Sequence, residues 1–460
     1  MTQASPSTAT QDSEARPTDL IYGLEDQPPL QKTLLVALQH VFAVFVGIIT
    51  PPLLIAGALQ LDAALTAYLV SMSLFVSGVA TVLQTRRIGP IGSGLLSIQG
   101  TSFTFIAPII TTAGAALSGG ATASQALALV FGLCFAAAFV VILASRFIRQ
   151  ASSVITPVVT GTVVTLIGLT LIEVGMVSVA GGYGAKADGT FGSLQNLGLA
   201  ALVLITILVF NGSRRPNLRM LSVVIGLGAG YAAALVLGRL NLGAMREMPL
   251  ITVPQPFRFG IAFDWSYFLP FVLMYLITVM ESVGDLTATS SLTGQPVSGP
   301  QYVQRLQGGL LADGINSAIA ACLTSFPSTT FAQNNGVIQL TGVGSRYIGM
   351  FIGGILIVLG LIPAVGVLVQ ALPPPALGGA TLIMFGMVAA AGIRILARVQ
   401  MNRRNGVILA VSIGLGLGVT LVPDVTAQLP PLVQSMFSSG IATGGLCALL
   451  LNTVLPGERA

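Results

Sequence analysis

Apolar runs of about 20 residues, each long enough to cross a bilayer, recur along almost the whole chain. They cover residues 32–57, 63–84, 123–145, 153–176, 195–212, 219–238, 266–290, 308–326, 346–370, 376–396, 405–422 and 431–453. Two further segments, 98–116 and 328–342, are too short or too polar to be plain spanning helices. With the twelve runs they make 14 segments, so both termini share one side. The longest polar interruption, roughly 239–265, still carries Pro254, Pro256, Phe257 and Phe259, and leaves no room for a soluble domain. Residues 1 to about 30 are polar and lack the basic start and apolar core of a cleaved signal peptide. They read as a mobile cytoplasmic tail.

The two halves resemble each other. Pro157, Gly161 and Gly168 recur as Pro375, Gly379 and Gly386, each at an offset of 218 residues. These positions open the fifth and twelfth segments. A repeat unit of seven spans is odd, so the two copies must lie inverted in the membrane. The expected fold is therefore all-α and polytopic, with 14 transmembrane segments in a 7+7 inverted repeat. The short third and tenth segments become equivalent: Gly100-Thr-Ser-Phe103-Thr and Ser328-Thr-Thr-Phe331-Ala. Each reads as a few extended residues followed by a half-helix. Paired broken segments in corresponding positions point to a midplane binding site. Their half-helix N-termini offer N–H groups and positive dipole ends to an electron-rich ligand.

Composition supports the membrane reading. Mean hydropathy is +0.89 and only 8% of residues are charged, against about 25% in soluble domains. The 54 Gly and 25 Pro suit close helix packing and broken helices. The net charge of +5 follows from topology and gives no reason to expect nucleic acid. With a cytoplasmic N-terminus, 16 of the 20 Lys and Arg residues fall inside; Lys186, Arg239, Arg246 and Arg258 fall outside. Cys134, Cys322 and Cys447 sit far apart in apolar segments and read as small buried hydrophobes.

Candidate chemistry lies where the pattern breaks. The stretch FAQNNGVIQLT, Phe331 to Thr341, places Gln333, Asn334, Asn335 and Gln339 at membrane depth. An unpaired amide in hydrocarbon costs several kcal/mol, so these side chains must face a protein cavity. Glu281 follows thirteen residues without a charge, and Asp285 is one helical turn further on the same face. Asp313 lies in GGLLADGINS. Buried carboxylates beside interrupted helices point to a transport site and to candidate proton carriers. His40, the one histidine, lies about eight residues into the first span and is equally readable as a satisfied core group. Glu173, Asn211, Asn316 and Asn452 read as solvated groups, caps or interhelical links. Trp265 and Tyr267 fit an interfacial belt. No phosphate loop, metal-ligand cluster or nucleophile–base pair is visible.

QNNGVIQLTG, Gln333 to Gly342, resembles the signature of the nucleobase–ascorbate transporter family: Gln or Glu, Asn, any residue, Gly, four residues, Thr, then Arg, Lys or Gly. The resemblance continues through GSGLLSIQGTSF (92–103), MESVGDLTATS (280–290), GGLLADG (308–314) and LGGATLIMFGM (377–387), and is closest to bacterial xanthine permeases. It implies a core domain of segments 1–4 and 8–11 (31–150 and 266–370), joined across an external loop (241–265). A gate domain of segments 5–7 and 12–14 (151–240 and 371–455) would mediate homodimerisation.

By residue, the resemblance assigns Glu281 and Gln333 to purine binding. Phe103, Phe331 and Ala332 would flank the base, and Asn334 would set specificity. Asp285, Asp313 and His40 would support affinity or proton coupling. Ser102 stands where xanthine-selective members often carry Asn, which brings uric acid in as a second substrate. The implied protein is a proton-coupled purine symporter of the bacterial inner membrane, with cytoplasmic termini and no cofactor beyond the proton. A urate-preferring or broader nucleobase permease of the same family, or an uncoupled nucleobase channel or sensor, is the alternative.

Overall fold

The computed structural model describes residues 20–151, 156–240, 251–430, 433–434, 437 and 439–456. It is predominantly helical. The helices are α1 (Leu30–Ala58), α2 (Ala63–Arg86), α3 (Ile106–Ser118), α4 (Ala123–Ala151), α5 (Pro157–Val179), α6 (Gly182–Ala187), α7 (Leu194–Asn211), α8 (Pro216–Met220), α9 (Ser222–Val236), α10 (Trp265–Leu292), α11 (Gly299–Cys322), α12 (Gln333–Thr341), α13 (Arg346–Leu361), α14 (Pro363–Gln370), α15 (Pro374–Leu396) and α16 (Arg403–Leu421). A C-terminal helix covers Gly440–Val454. Two three-residue strands, β1 (Gln99–Thr101) and β2 (Ser328–Thr330), complete the set.

Helix starts follow local chemistry. Asp62 accepts the Leu65 amide at 2.7 Å to open α2, and Asn402 accepts the Asn405 amide at 2.8 Å to open α16. Proline occupies the first turn of α5, α8, α11, α14 and α15. Among the described residues, 8 helices are long and apolar enough to cross a membrane, or up to 9 if α13 and α14, bent by 77° at Ile362, form one span. Shorter apolar helices cover Phe103–Ser118, Ser222–Val236 and Gly440–Val454. The chain is a multi-pass integral membrane protein.

The two broken segments meet. β1 and β2 pair antiparallel, with Gln99 opposite Thr330, Gly100 opposite Thr329 and Thr101 opposite Ser328. Side chains of neighbouring helices hold the strands. Thr81 on α2 accepts the Gln99 amide at 3.0 Å, and Ser317 on α11 accepts the Ser328 amide at 3.2 Å. Backbone groups in mid-membrane must be paired inside the protein, and these hydroxyls supply the partners.

Helices α5 and α15 pack along each other, as do α2 with α13, α4 with α11, α7 with α9 and α16 with the C-terminal helix. Small residues set these distances. A Cβ on Gly168 would collide with the Ala389 backbone, and one on Gly78 would lie 2.7 Å from the Ile357 amide nitrogen.

Three expectations need correction. The tail is not mobile up to residue 30. The Ile21 and Tyr22 amides donate to the Gly342 carbonyl at 2.7 and 3.2 Å, and the Gly344 amide donates to the Tyr22 carbonyl at 3.0 Å. Residues 1–19 lie outside the described residues, as do 241–250 of the loop and part of the last segment. α11 begins at Gly299, nine residues before the apolar run from 308, because GPQYVQRL continues the helix while contributing little hydropathy. The seventh segment is two pieces, α8 and α9, joined at Leu221.

Candidate functional site

The polar groups converge where β1, β2 and α12 meet α10, α11 and α1. Glu281 and Asp285 project from α10 one turn apart, and Asp313 comes from α11. Both aspartates act electrostatically on Glu281. Asp313 accepts a short hydrogen bond from the Ser282 hydroxyl through Oδ2, and the Gln99 amide stands beside it. Asp285 Oδ2 accepts from the Thr330 hydroxyl at 3.0 Å. Glu281 faces the Thr104 hydroxyl, and its Oε2 has no hydrogen-bond partner among the described residues.

Among the described residues, no Lys or Arg forms an ion pair with these carboxylates. Among the described residues, the ion pair that forms is Arg346 with Glu25, at the molecular surface. The protein accommodates the three carboxylates by hydroxyl and amide hydrogen bonds and by partial exposure of Glu281 and Asp285. Glu281, Asp285, Ala332 and Gln333 keep partial solvent access, whereas Asp313, Asn334, His40 and Ser102 are buried.

Asn334 lies in the first turn of α12 and donates a short hydrogen bond from Nδ2 to the Leu96 carbonyl. That bond ties the motif helix to the chain leading into β1. Asn334 also faces His40, whose ring is fully buried on α1. Asn335 accepts from the Thr289 hydroxyl at 2.8 Å, fixing α12 to α10. No side chain caps the start of α12, where Ala332 sits. Backbone carbonyls take the place of a cap: the Asn334 amide donates to the Phe331 carbonyl at 3.1 Å and the Asn335 amide to the Ala332 carbonyl at 3.0 Å.

Three rings border the site. Phe103 and Phe331 are stacked, with centroids 6.1 Å apart and planes inclined by 14°. Phe385 from α15 meets Phe103 edge-on. The Phe331 ring fills the space over two glycines: a Cβ on Gly47 would stand 2.6 Å from its Cε2, and one on Gly100 would overlap the ring. Ser102 caps the turn Phe103–Phe105 by accepting the Thr104 amide at 3.3 Å, while its own amide donates to the Pro327 carbonyl at 2.8 Å.

The structure thus gathers Glu281, Asp285, Asp313, Gln333, Asn334, His40, Ser102, Phe103, Phe331 and Ala332 around the crossing of the two broken segments. It adds Gln99, Ser282, Thr104 and Thr330, which sequence reasoning passed over. Their signal was faint: isolated hydroxyls are ordinary in membrane helices, and Gln99 lies one residue outside the Gly100–Phe103 pattern. Asn316 does link helices, donating to the Ala80 carbonyl at 3.3 Å. Two surface cavities lie elsewhere: one between α2, the 251–258 segment and Pro363, the other along α13.

Two broken segments paired antiparallel, a carboxylate–amide cluster at their crossing and a shell of apolar spans define a membrane transporter, with no arrangement for bond-breaking chemistry among the described residues. The Xan_ur_permease model, described as a permease family, matches residues 31–425, and the chain belongs to this nucleobase–ascorbate transporter family. Among its relatives, xanthine permease XanP of Escherichia coli is 49% identical over 457 residues, covering 99% of this chain and 98% of the relative. Xanthine permease XanQ of the same organism is 46% identical, covering 96% and 94%. Uric acid permease PucJ of Bacillus subtilis is 38% identical, covering 92% of each. In fold, the chain is similar to the transmembrane domain of a cyanobacterial bicarbonate transporter, BicA, with a TM-score of 0.62, 14% identity, and coverage of 90% of this chain and 99% of that one.

Proposed function

We propose that the protein imports xanthine together with protons, and accepts uric acid as a second substrate. The observation that carries this reading is Glu281: a half-buried carboxylate beside the two broken segments, with no ion pair and one oxygen unpartnered among the described residues. Xanthine presents alternating N–H and C=O groups along its edges. A carboxylate accepts from ring N–H groups, and a primary amide pairs with an adjacent N–H and C=O. Glu281 and Gln333 are assigned these roles. Phe103 covers a face of the base, Ala332 and the start of α12 offer backbone donors, and Asn334 holds the motif helix in register. Phe331 supports Phe103 from its seat on Gly47 and Gly100. Asp285, Asp313 and His40 form the polar surround through which a proton is taken up and released.

The 49% and 46% identities to two xanthine permeases favour xanthine as first substrate. The serine at 102 favours the second reading, in which urate is carried as well.

We also infer 14 segments in a 7+7 inverted repeat. Helix contacts support it: α2 with α13 corresponds to α11 with α4, and α7 with α9 corresponds to α16 with the C-terminal helix, when the halves are exchanged. The core (31–150, 266–370) would move against a gate (151–240, 371–455) in a homodimer, within the bacterial inner membrane and with cytoplasmic termini.

One uptake panel tests the function. Radiolabelled xanthine uptake into cells or proteoliposomes should be competed by unlabelled xanthine and urate, and much less by uracil. Collapse of the proton gradient should stop accumulation, and removal of sodium should not. Uptake that needs sodium and ignores a protonophore refutes the coupling. Competition by uracil but not by xanthine refutes the substrate.

A further inference from the structure

Near the N-terminal segment, Arg87 and Arg346 flank one loop glycine, and Arg305 lies within electrostatic range of both. Arg87 ends α2, Arg305 lies early in α11 and Arg346 opens α13. Arg87 and Arg346 both border Gly94: the Arg87 Cδ and Arg346 Nη1 stand 3.5 and 3.6 Å from where a Cβ on that glycine would be. Gly94 has a φ of +68°, one of several left-handed positions that fold the 87–97 loop tightly around this point. Arg305 interacts electrostatically with both other arginines and with Glu25.

The countercharge is incomplete. Glu25 accepts from Arg346 Nε and Nη2 at 2.9 and 2.6 Å, through the same oxygen. Asp26 is occupied locally, accepting the Gly23 amide at 2.7 Å. Arg305 is 8% exposed and gives Nη2 to Gln295 at 2.7 Å, yet its Nε is buried without a partner among the described residues. Topological bias accounts for arginines at a membrane surface. It does not account for a buried arginine with a free donor beside two like charges. Such a cluster is unfavourable unless an anion joins it.

We propose that Arg87, Arg305 and Arg346 form a binding site for a phosphate-type anion, with Glu25 as the resident countercharge. Guanidinium forks match phosphate oxygens in geometry and charge. The anion displaces Glu25 from Arg346. Glu25 lies on the segment whose Ile21 and Tyr22 amides hold the Gly342 carbonyl, and Gly342 closes α12, which carries Gln333 and Asn334. Occupancy therefore loosens the N-terminal segment from the end of the motif helix. The anion is either a phosphate headgroup of an acidic lipid or a soluble phosphate. The site does not depend on which solute is transported.

The test uses full-length protein in phosphatidylcholine nanodiscs, read by its thermal unfolding midpoint. One arm titrates inorganic phosphate against sodium chloride of equal ionic strength. The other replaces part of the phosphatidylcholine with phosphatidylglycerol. The native protein should be stabilised in at least one arm; the first identifies a soluble anion, the second a lipid headgroup. Glu25→Gln removes an exposed competing ion pair and should tighten the response about two- to fivefold. Arg87→Gln, at a half-exposed position outside the helix interior, should abolish it. No stabilisation in either arm overturns the proposal, as does a native-like response in Arg87→Gln or an unchanged affinity in Glu25→Gln.

Discussion

The edge of Phe385 meets the face of Phe103 at a centroid distance of 5.4 Å and an interplanar angle of 90°. Phe103 begins the turn after β1, and Phe385 belongs to α15, whose long partner is α5. This contact therefore joins the broken segment to the α5–α15 helix pair. Aromatic pairs of this geometry contribute about 0.5–1.5 kcal/mol beyond their burial. Phe385→Ala should raise the KM for xanthine about two- to tenfold, with a smaller fall in maximal rate, once uptake is normalised to protein in the membrane. Phe385→Tyr keeps the ring and should stay near native. An unchanged KM in a well-expressed alanine variant would remove Phe385 from the site.

Glu281→Gln tests the central assignment. The amide keeps size and shape but replaces an ionisable acceptor by a group that must also place two donors. Losing a charge-assisted acceptor from a site that meets N–H groups costs a few kcal/mol, or more than about a hundredfold in uptake. Membrane levels should be preserved, because the carboxylate has no cation to orphan. Near-native uptake at low xanthine by this variant is incompatible with the proposed role.

Ser282 makes a different kind of prediction. Its hydroxyl donates to Asp313 and stands 3.3 Å from the Thr329 hydroxyl, so one side chain links α10, α11 and β2. Ser282→Ala leaves a buried carboxylate oxygen without its donor, at a cost of about 1.5–3 kcal/mol. Uptake should fall about tenfold or more. Ser290 lies on the same helix, is also buried, and its hydroxyl has no partner among the described residues. Ser290→Ala should therefore be near neutral. Equal losses in the two variants would show that α10 simply tolerates no change.

Two glycines separate packing from motif. The Phe331 ring occupies the place of a Gly100 side chain, so Gly100→Ala must displace the ring or part the strands. Nothing lies within 4 Å of a Cβ on Gly336, which is exposed on α12. Gly100→Ala should reduce folded protein and uptake together, measured as the monodisperse fraction after purification and as transport. Gly336→Ala should leave folded protein unchanged. A destabilised Gly336→Ala with a robust Gly100→Ala would contradict this packing.

Long spans were legible in the sequence because membrane helices must be continuously apolar, and α1, α2, α4, α5, α10 and α15 fall where hydropathy places them. The two broken segments were legible for the opposite reason: amides at membrane depth have no other home. Glu281, Asp285 and Asp313 stood out because carboxylates are rare there. Contacts between distant segments were not legible. Nothing local to Ser282 announces Asp313, 31 positions away. Nor does the short stretch LIYGLED, residues 20–26, announce its docking on Gly342 and Arg346, since backbone hydrogen bonding leaves no mark on side-chain pattern. Hydropathy also missed the first turns of α11, whose polar residues face the tail-side surface around Arg305.

Ser102 carries the specificity prediction. Its hydroxyl is buried and caps the Phe103–Phe105 turn by accepting the Thr104 amide. Asparagine is an equally good cap, so Ser102→Asn should preserve the turn and the position of Phe103 while adding an amide beside it. Uric acid differs from xanthine by an oxygen at C8 and the accompanying N–H. The small serine leaves room for that edge, and the larger asparagine crowds it. A site that only excludes an added group gains about 1–3 kcal/mol of discrimination. The native protein should therefore show urate inhibition of xanthine uptake, and Ser102→Asn should raise the xanthine-to-urate preference about tenfold or more. The check is the ratio of inhibition constants in the two proteins, measured at matched membrane levels. A native protein indifferent to millimolar urate, or a variant with the same ratio, would show that position 102 does not read the C8 edge.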